Sequence, residues 1–181
     1  MSLRHAVLGL LAVEPATGYD LAQRFDKSLA HAWHASHSQI YPELARLDEE
    51  GMVEVVGEGP RRSRTWALTA GGRDELRRFM TETEPSRSQR NETALRWFLV
   101  SLLDPADRRT VLEREIAFVT GEREQLTAIA TAVDALPGPP HPFRGTVDLG
   151  LRVDAVMLDW LGEQLEAAQA EVAADAADAG R

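Results

Sequence analysis

Cysteine is absent from this chain of 181 residues. That excludes disulfide staples, thiolate nucleophiles and cysteine-ligated metals together. Lysine is nearly absent too, with Lys27 the only one among 20 basic residues, so positive charge here is arginine. Aromatic residues make up 6%. No apolar run approaches the ~18 residues of a membrane helix. The start, Met1-Ser2-Leu3-Arg4-His5, lacks the apolar segment and cleavage site of an export signal, so the expected compartment is the cytoplasm. Also missing are the G-x-S-x-G elbow, the phosphate-binding loop, GxGxxG and HExxH. The many carboxylates fall on helix faces that solvation explains. No catalytic residue and no cofactor is expected.

What is present is the composition of a globular protein, 44% hydrophobic and 27% charged. The net charge of −9 is unevenly spread. Residues 1–80 hold ten basic groups against eleven acids, whereas residues 81–181 hold ten against eighteen. The acidic total argues against a polyanionic partner, but a near-neutral N-terminal part with clustered arginines does not.

Local patterns give the element order. Leu3, Val7, Leu10 and Leu11 have helical spacing, and Pro15 lies beyond the end of that helix. Thr17-Gly18-Tyr19-Asp20 reads as a capping box, after which Leu21, Phe25 and Leu29 repeat every four residues. A third helix carries Ile40, Leu44 and Leu47 inward and stops at Gly51; its cap is expected at Ser38 rather than Ser36, which places Pro42 early in the helix. The period then changes. Met52–Val56 and Arg64–Thr69 read as strands joined by a loop over residues 57–63 with a basic tip, and Thr69 can cap a fourth helix to about Met80.

Residues 81–91 read as a linker. Beyond it, Leu95–Leu103 is apolar nearly all round and is expected to be deeply buried. Asp104-Pro105 begins a long helix, and Pro137–Pro142 separates it from a last one. Leu112, Ile116, Val119 and Leu126 on the first long helix, with Val153, Val156 and Trp160 on the last, form coiled-coil-like seams that a second copy of the chain would cover.

The fold expected is mainly α: a winged helix-turn-helix domain over residues 1–80, and a helical, coiled-coil-like dimerisation domain over residues 92–181. In a winged helix the third helix enters the DNA major groove and the hairpin tip grips the backbone or minor groove. Turning Ile40, Leu44 and Leu47 inward leaves Ser38 outward, with Gln39, Tyr41 and Arg46 on the flanks. Ser36, Ser38, Gln39, Tyr41 and Arg46, with Arg61, Arg62 and Arg64 of the hairpin, are the candidate DNA contacts. His31, His34 and His37 form an HxxHxxH run. On one helix the outer pair would be turned apart, and no acid or cysteine lies close by in sequence, so a polar turn is expected and no metal.

Leu3–Leu11, Gly18-Tyr19-Asp20-Leu21, Ser36-His37-Ser38-Gln39-Ile40-Tyr41-Pro42-Glu43-Leu44-Ala45-Arg46-Leu47, Glu50-Gly51-Met52-Val53, Arg64-Thr65-Trp66-Ala67-Leu68-Thr69 and Gly71-Gly72-Arg73 stand out. Together they closely resemble the PadR family of bacterial transcriptional regulators. Asp159-Trp160-Leu161 is similar to a motif of the family's long-tailed branch, while Trp66 stands where tyrosine is commoner. The resemblance implies a homodimeric repressor on an inverted-repeat operator in double-stranded DNA, with a phosphate contact from Tyr41. It also implies a small aromatic or lipophilic effector, for which Trp33, Trp97, Phe98 and Trp160 could line a cavity; core and dimer packing is the plainer reading of those four. A protein–protein adaptor that kept the winged helix without DNA affinity is the alternative.

Overall fold

The structure, a computed structural model, describes residues 3–25, 37–60, 63–85 and 91–179. The chain forms two compact units, Met1–Ser88 and Gln89–Arg181. No helix among the described residues is long and apolar enough to cross a membrane.

The first unit contains α1 (Leu3–Leu11), β1 (Ala16–Thr17), α2 (Gly18–Arg24), α3 (His37–Glu49), β2 (Val53–Glu58), β3 (Arg64–Leu68) and α4 (Ala70–Thr81). The sheet is antiparallel with strand order β1-β3-β2. Helices α2 and α4 start where side chains satisfy the free amides of a first turn. The Thr17 hydroxyl accepts from the Asp20 amide at 3.2 Å, and the Asp20 carboxylate accepts from the Thr17 amide at 3.1 Å and its hydroxyl at 2.7 Å. Thr69 caps α4, accepting from the Gly72 amide and donating to the Gly51 carbonyl. Gly51 ends α3 in the left-handed region, φ 69°. There its amide reaches the Asp48 carbonyl and that of Met52 reaches Leu47, the paired closure of a Schellman motif.

Val7, Leu8, Leu21, Phe25, Ile40, Leu44 and Leu47, all at most 1% exposed, make the core, roofed by Val53, Trp66 and Leu68 of the sheet. The hairpin departs from expectation in one respect. Strand β2 continues through Gly57 and Glu58, which pair with Thr65 and Arg64, and a bulge at Val56 absorbs the extra residue. The opposite charges of Glu58 and Arg64 face each other across the ladder and support pairing where a loop was expected.

The second unit contains α5 (Glu92–Leu99), a 3-10 turn over Val100–Leu102, α6 (Pro105–Asp134) and α7 (Arg144–Ala179). Helices α6 and α7 form a long antiparallel hairpin whose core is Val100, Leu112, Leu161 and Ala168, with Ile116, Val119 and Trp160 packed against it. Two expectations are corrected here. Leu112 is wholly buried within its own chain and is not available to a second copy. The segment from Leu95 to Leu103 is not deeply buried: Leu95 is 55%, Phe98 78% and Leu102 79% exposed. The 3-10 turn ends α5 after eight residues; Val100 is buried in the core and Trp97 packs against it, while the rest of the segment stays exposed. The expected linker falls between α4 and α5; its residues 86–90 lie outside the described residues, as does Leu29.

Hydrogen bonds from Thr17 hold the Asp20 carboxyl below its ordinary value of 3.8. A carboxyl depressed by folding stabilises fully above its unfolded value and ceases to do so as pH falls through the folded one. Asp20→Asn should therefore lower the melting temperature at neutral pH, and the difference should shrink as pH falls below 3.8 and the carboxyl protonates. Melting curves from pH 7 to 2.5 check this; parallel curves would show that the cap carries no charge-dependent stability.

Candidate nucleic-acid interface

Helix α3 is amphipathic in the sense its sequence dictates. Ile40, Leu44 and Leu47 are at most 1% exposed, and Ser38, Gln39, Tyr41, Ala45 and Arg46 lie on the exposed side. Helix α3 spans His37–Glu49, so Ser38 sits inside it and is not the cap. This corrects the expectation of a cap at Ser38, and it leaves Pro42 inside α3, beyond the first-turn positions where a missing amide costs nothing. Ser36 lies outside the described residues.

Tyr41 is 52% exposed. The Arg46 guanidinium is not loose: its Nη1 lies 3.1 Å from the Glu43 Oε2, one turn back. The i,i+3 spacing of Glu43 and Arg46 carried that signal in the sequence, and Glu43 was not among the candidates there. At the helix end the Glu50 carboxylate is engaged by Arg4 of α1 at 2.6 Å, which offsets one of the acids that close α3.

Arg64 is exposed at the start of β3, beside the hairpin tip. A groove of about 470 Å³ runs between α3, β3 and the start of α2, bordered by Tyr41, Ala45, Asp48, Arg64 and Trp66. The structure thus brings Tyr41 and Arg64 to one groove. Arg61 and Arg62 of the tip lie outside the described residues. So do His31 and His34, and no group of metal-holding side chains occurs among the described residues.

In the second unit Trp97 and Trp160 meet edge to face, ring centres 5.5 Å apart at 75°. Phe98 does not join them, being 78% exposed, so the expected aromatic group is a pair rather than a shared lining. Trp33 lies outside the described residues. Val153 and Val156 of α7 are 52% and 70% exposed, and Leu149, one turn earlier, is 61% exposed. Among the seam residues, Leu126 lies against Gly150 within the hairpin.

Comparison with known proteins bears on these surfaces. Residues 7–78 match the transcriptional regulator PadR-like family. A probable transcriptional regulator of Mycobacterium tuberculosis is 28% identical over 93% of this chain and 98% of its own length. The negative transcriptional regulator PadR of Bacillus subtilis is 33% identical over 56% of this chain and 58% of its own. Crystal structures of that PadR superpose with TM-scores of 0.75 in complex with operator DNA and 0.73 with p-coumaric acid. Both cover 92% of this chain and 98% of theirs, at 24% and 25% identity. The chain is thus mainly helical, and its residues 7–78 form a winged-helix domain that matches the PadR-like family of transcriptional regulators.

Proposed function

We propose that the chain is a homodimeric repressor that binds an inverted-repeat operator in double-stranded DNA and leaves it when a small aromatic or lipophilic molecule binds. The observation that carries this is the exposed face of α3. Ser38, Gln39, Tyr41 and Arg46 are held outward by the buried stripe behind them, with Arg64 across the groove. Short polar groups there suit a major groove, while Tyr41, Arg64 and the tip arginines Arg61 and Arg62 suit phosphates. The relative solved on operator DNA supports the same use. The chain would act by binding rather than catalysis, in the cytoplasm. No observation favours the adaptor reading.

A second copy would cover the apolar face left by the second unit. Leu149, Val153 and Val156 recur along one side of α7, and Leu95, Phe98 and Leu102 stand exposed around α5. A two-fold dimer would set recognition helices about 34 Å apart, or a multiple of that. The effector reading is supported by the relative bound to p-coumaric acid. In this chain the Trp97–Trp160 pair is the aromatic element nearest to that chemistry.

Tyr41→Phe and Arg62→Ala should each weaken operator binding about tenfold with unchanged melting temperature, the loss expected when a hydrogen bond to a charged group goes. The Arg62 variant should also reduce the slope of log affinity against log salt by about one. Wild-type affinity in both variants would remove the winged helix from the mechanism.

Replacing Val153 and Val156 together by aspartate should raise the dimer dissociation constant by about 100-fold or more, because each protomer would bury two charges. Sedimentation would show monomers while circular dichroism retains the helices; a dimer of wild-type affinity would place the interface elsewhere.

Aromatic acids titrated against the protein should change tryptophan emission and lower operator affinity over the same concentration range. A compound that changes emission and leaves operator affinity untouched would show that the tryptophan pair is core and not switch. So would normal release from DNA by Trp160→Ala dimers.

A further inference from the structure

Gly18 is the first residue of α2, directly after the Thr17 cap, and it is buried. What covers it comes from another helix. A Cβ on Gly18 would stand 2.5 Å from the Tyr41 Cε1, 3.0 Å from Cδ1 and 3.1 Å from Cζ. The three nearest atoms therefore all belong to one ring. The backbone at Gly18 lies outside the left-handed region, so its conformation is open to other residues. The need here is for space alone.

We infer that Gly18 is a positioning residue for DNA binding: by lacking a side chain it provides the seat on which the Tyr41 ring rests, and so fixes where the Tyr41 hydroxyl stands beside the groove. The inference rests on the reading that Tyr41 touches DNA. Without the seat, rotation about the Tyr41 side-chain bonds would sweep the hydroxyl through several ångströms on a face that is 52% exposed. Ordering it at the moment of binding would cost affinity. With the ring laid on the start of α2, the hydroxyl is held in place before DNA arrives. The same contact ties the two helices of the helix-turn-helix together at the face that reads DNA.

The geometry separates this role from a structural one. A tyrosine ring is the far end of a flexible side chain and moves aside at little cost, and alanine suits a helix start better than glycine does. Gly18→Ala should therefore keep or raise the melting temperature while it displaces the ring. A variant that is as stable as wild type and binds DNA less well is not what a packing defect produces.

The test uses the full-length chain and a duplex that it selects from random sequence. Gly18→Ala should weaken binding to that duplex about tenfold, close to the effect of Tyr41→Ala. In the Tyr41→Ala background the same change should have less than about a twofold effect, because the ring it would displace is gone. The seat itself is read without DNA: in wild type the Gly18 Hα resonances should be displaced by ring current, and in Tyr41→Ala they should return to ordinary glycine positions. Wild-type affinity of Gly18→Ala, where Tyr41→Ala is weak, would overturn the inference and leave the DNA-binding reading intact. A further loss on adding Gly18→Ala to Tyr41→Ala would overturn it as well, since Gly18 would then act through something other than the ring. Wild-type affinity of Tyr41→Ala would instead overturn the phosphate role of Tyr41, and the inference with it.

Discussion

The arrangement of the first unit depends on the burial of three side chains, Ile40, Leu44 and Leu47, against α1 and α2. Each contributes about 1.5–3 kcal/mol by leaving water. No polar contact on the opposite face approaches their sum. A helix has one rotational setting that buries such a stripe, and that setting decides which residues remain outside. Rolling α3 by one residue would put Tyr41 into the core and Ile40 into solvent. The outward face that suits DNA is thus a by-product of hydrophobic burial, and its orientation is as secure as the core.

Charges play a lesser part. The Glu43–Arg46 pair is exposed on the arginine side, and such pairs contribute only about 0–1 kcal/mol. Breaking it would leave the fold undisturbed. The Arg4–Glu50 pair ties α1 to the residue just past the end of α3. Neither pair holds the unit together.

The second unit shows the limit of a two-helix hairpin. Two long helices facing each other can each bury one stripe, and here that stripe converges on Leu112, Leu161 and Ala168. A second stripe meets no partner among the described residues of this unit, and Leu149, Val153 and Val156 stay exposed on α7. As in most proteins, the stability of α6 and α7 comes mainly from packing of their apolar faces rather than from propensity. The homodimer proposed above supplies the missing surface, and it makes the stability of this unit depend on association.

The sequence alone determined whatever rests on interactions a few residues apart. Thr17 and Asp20 form their capping box, Thr69 caps α4, Asp104 and Pro105 open α6, and Gly51 stops α3, each where the local pattern placed it. The hairpin and the inward stripe of α3 were legible for the same reason, because a period of two or of three to four residues is written in neighbouring positions. The start of α3 was not: the position of Pro42 favoured a cap at Ser38, yet Ser38 already lies within the helix. Nor was the fate of the apolar residues in the second unit. Leu112 and Phe98 look equally hydrophobic in sequence, but one is sealed between helices and the other is exposed, because only the packing of α6 on α7 decides which side is inside. The seating of Tyr41 on Gly18 was likewise invisible. A glycine that opens a helix is unremarkable until the fold lays a ring from another helix across it, and that contact joins residues 23 positions apart in sequence.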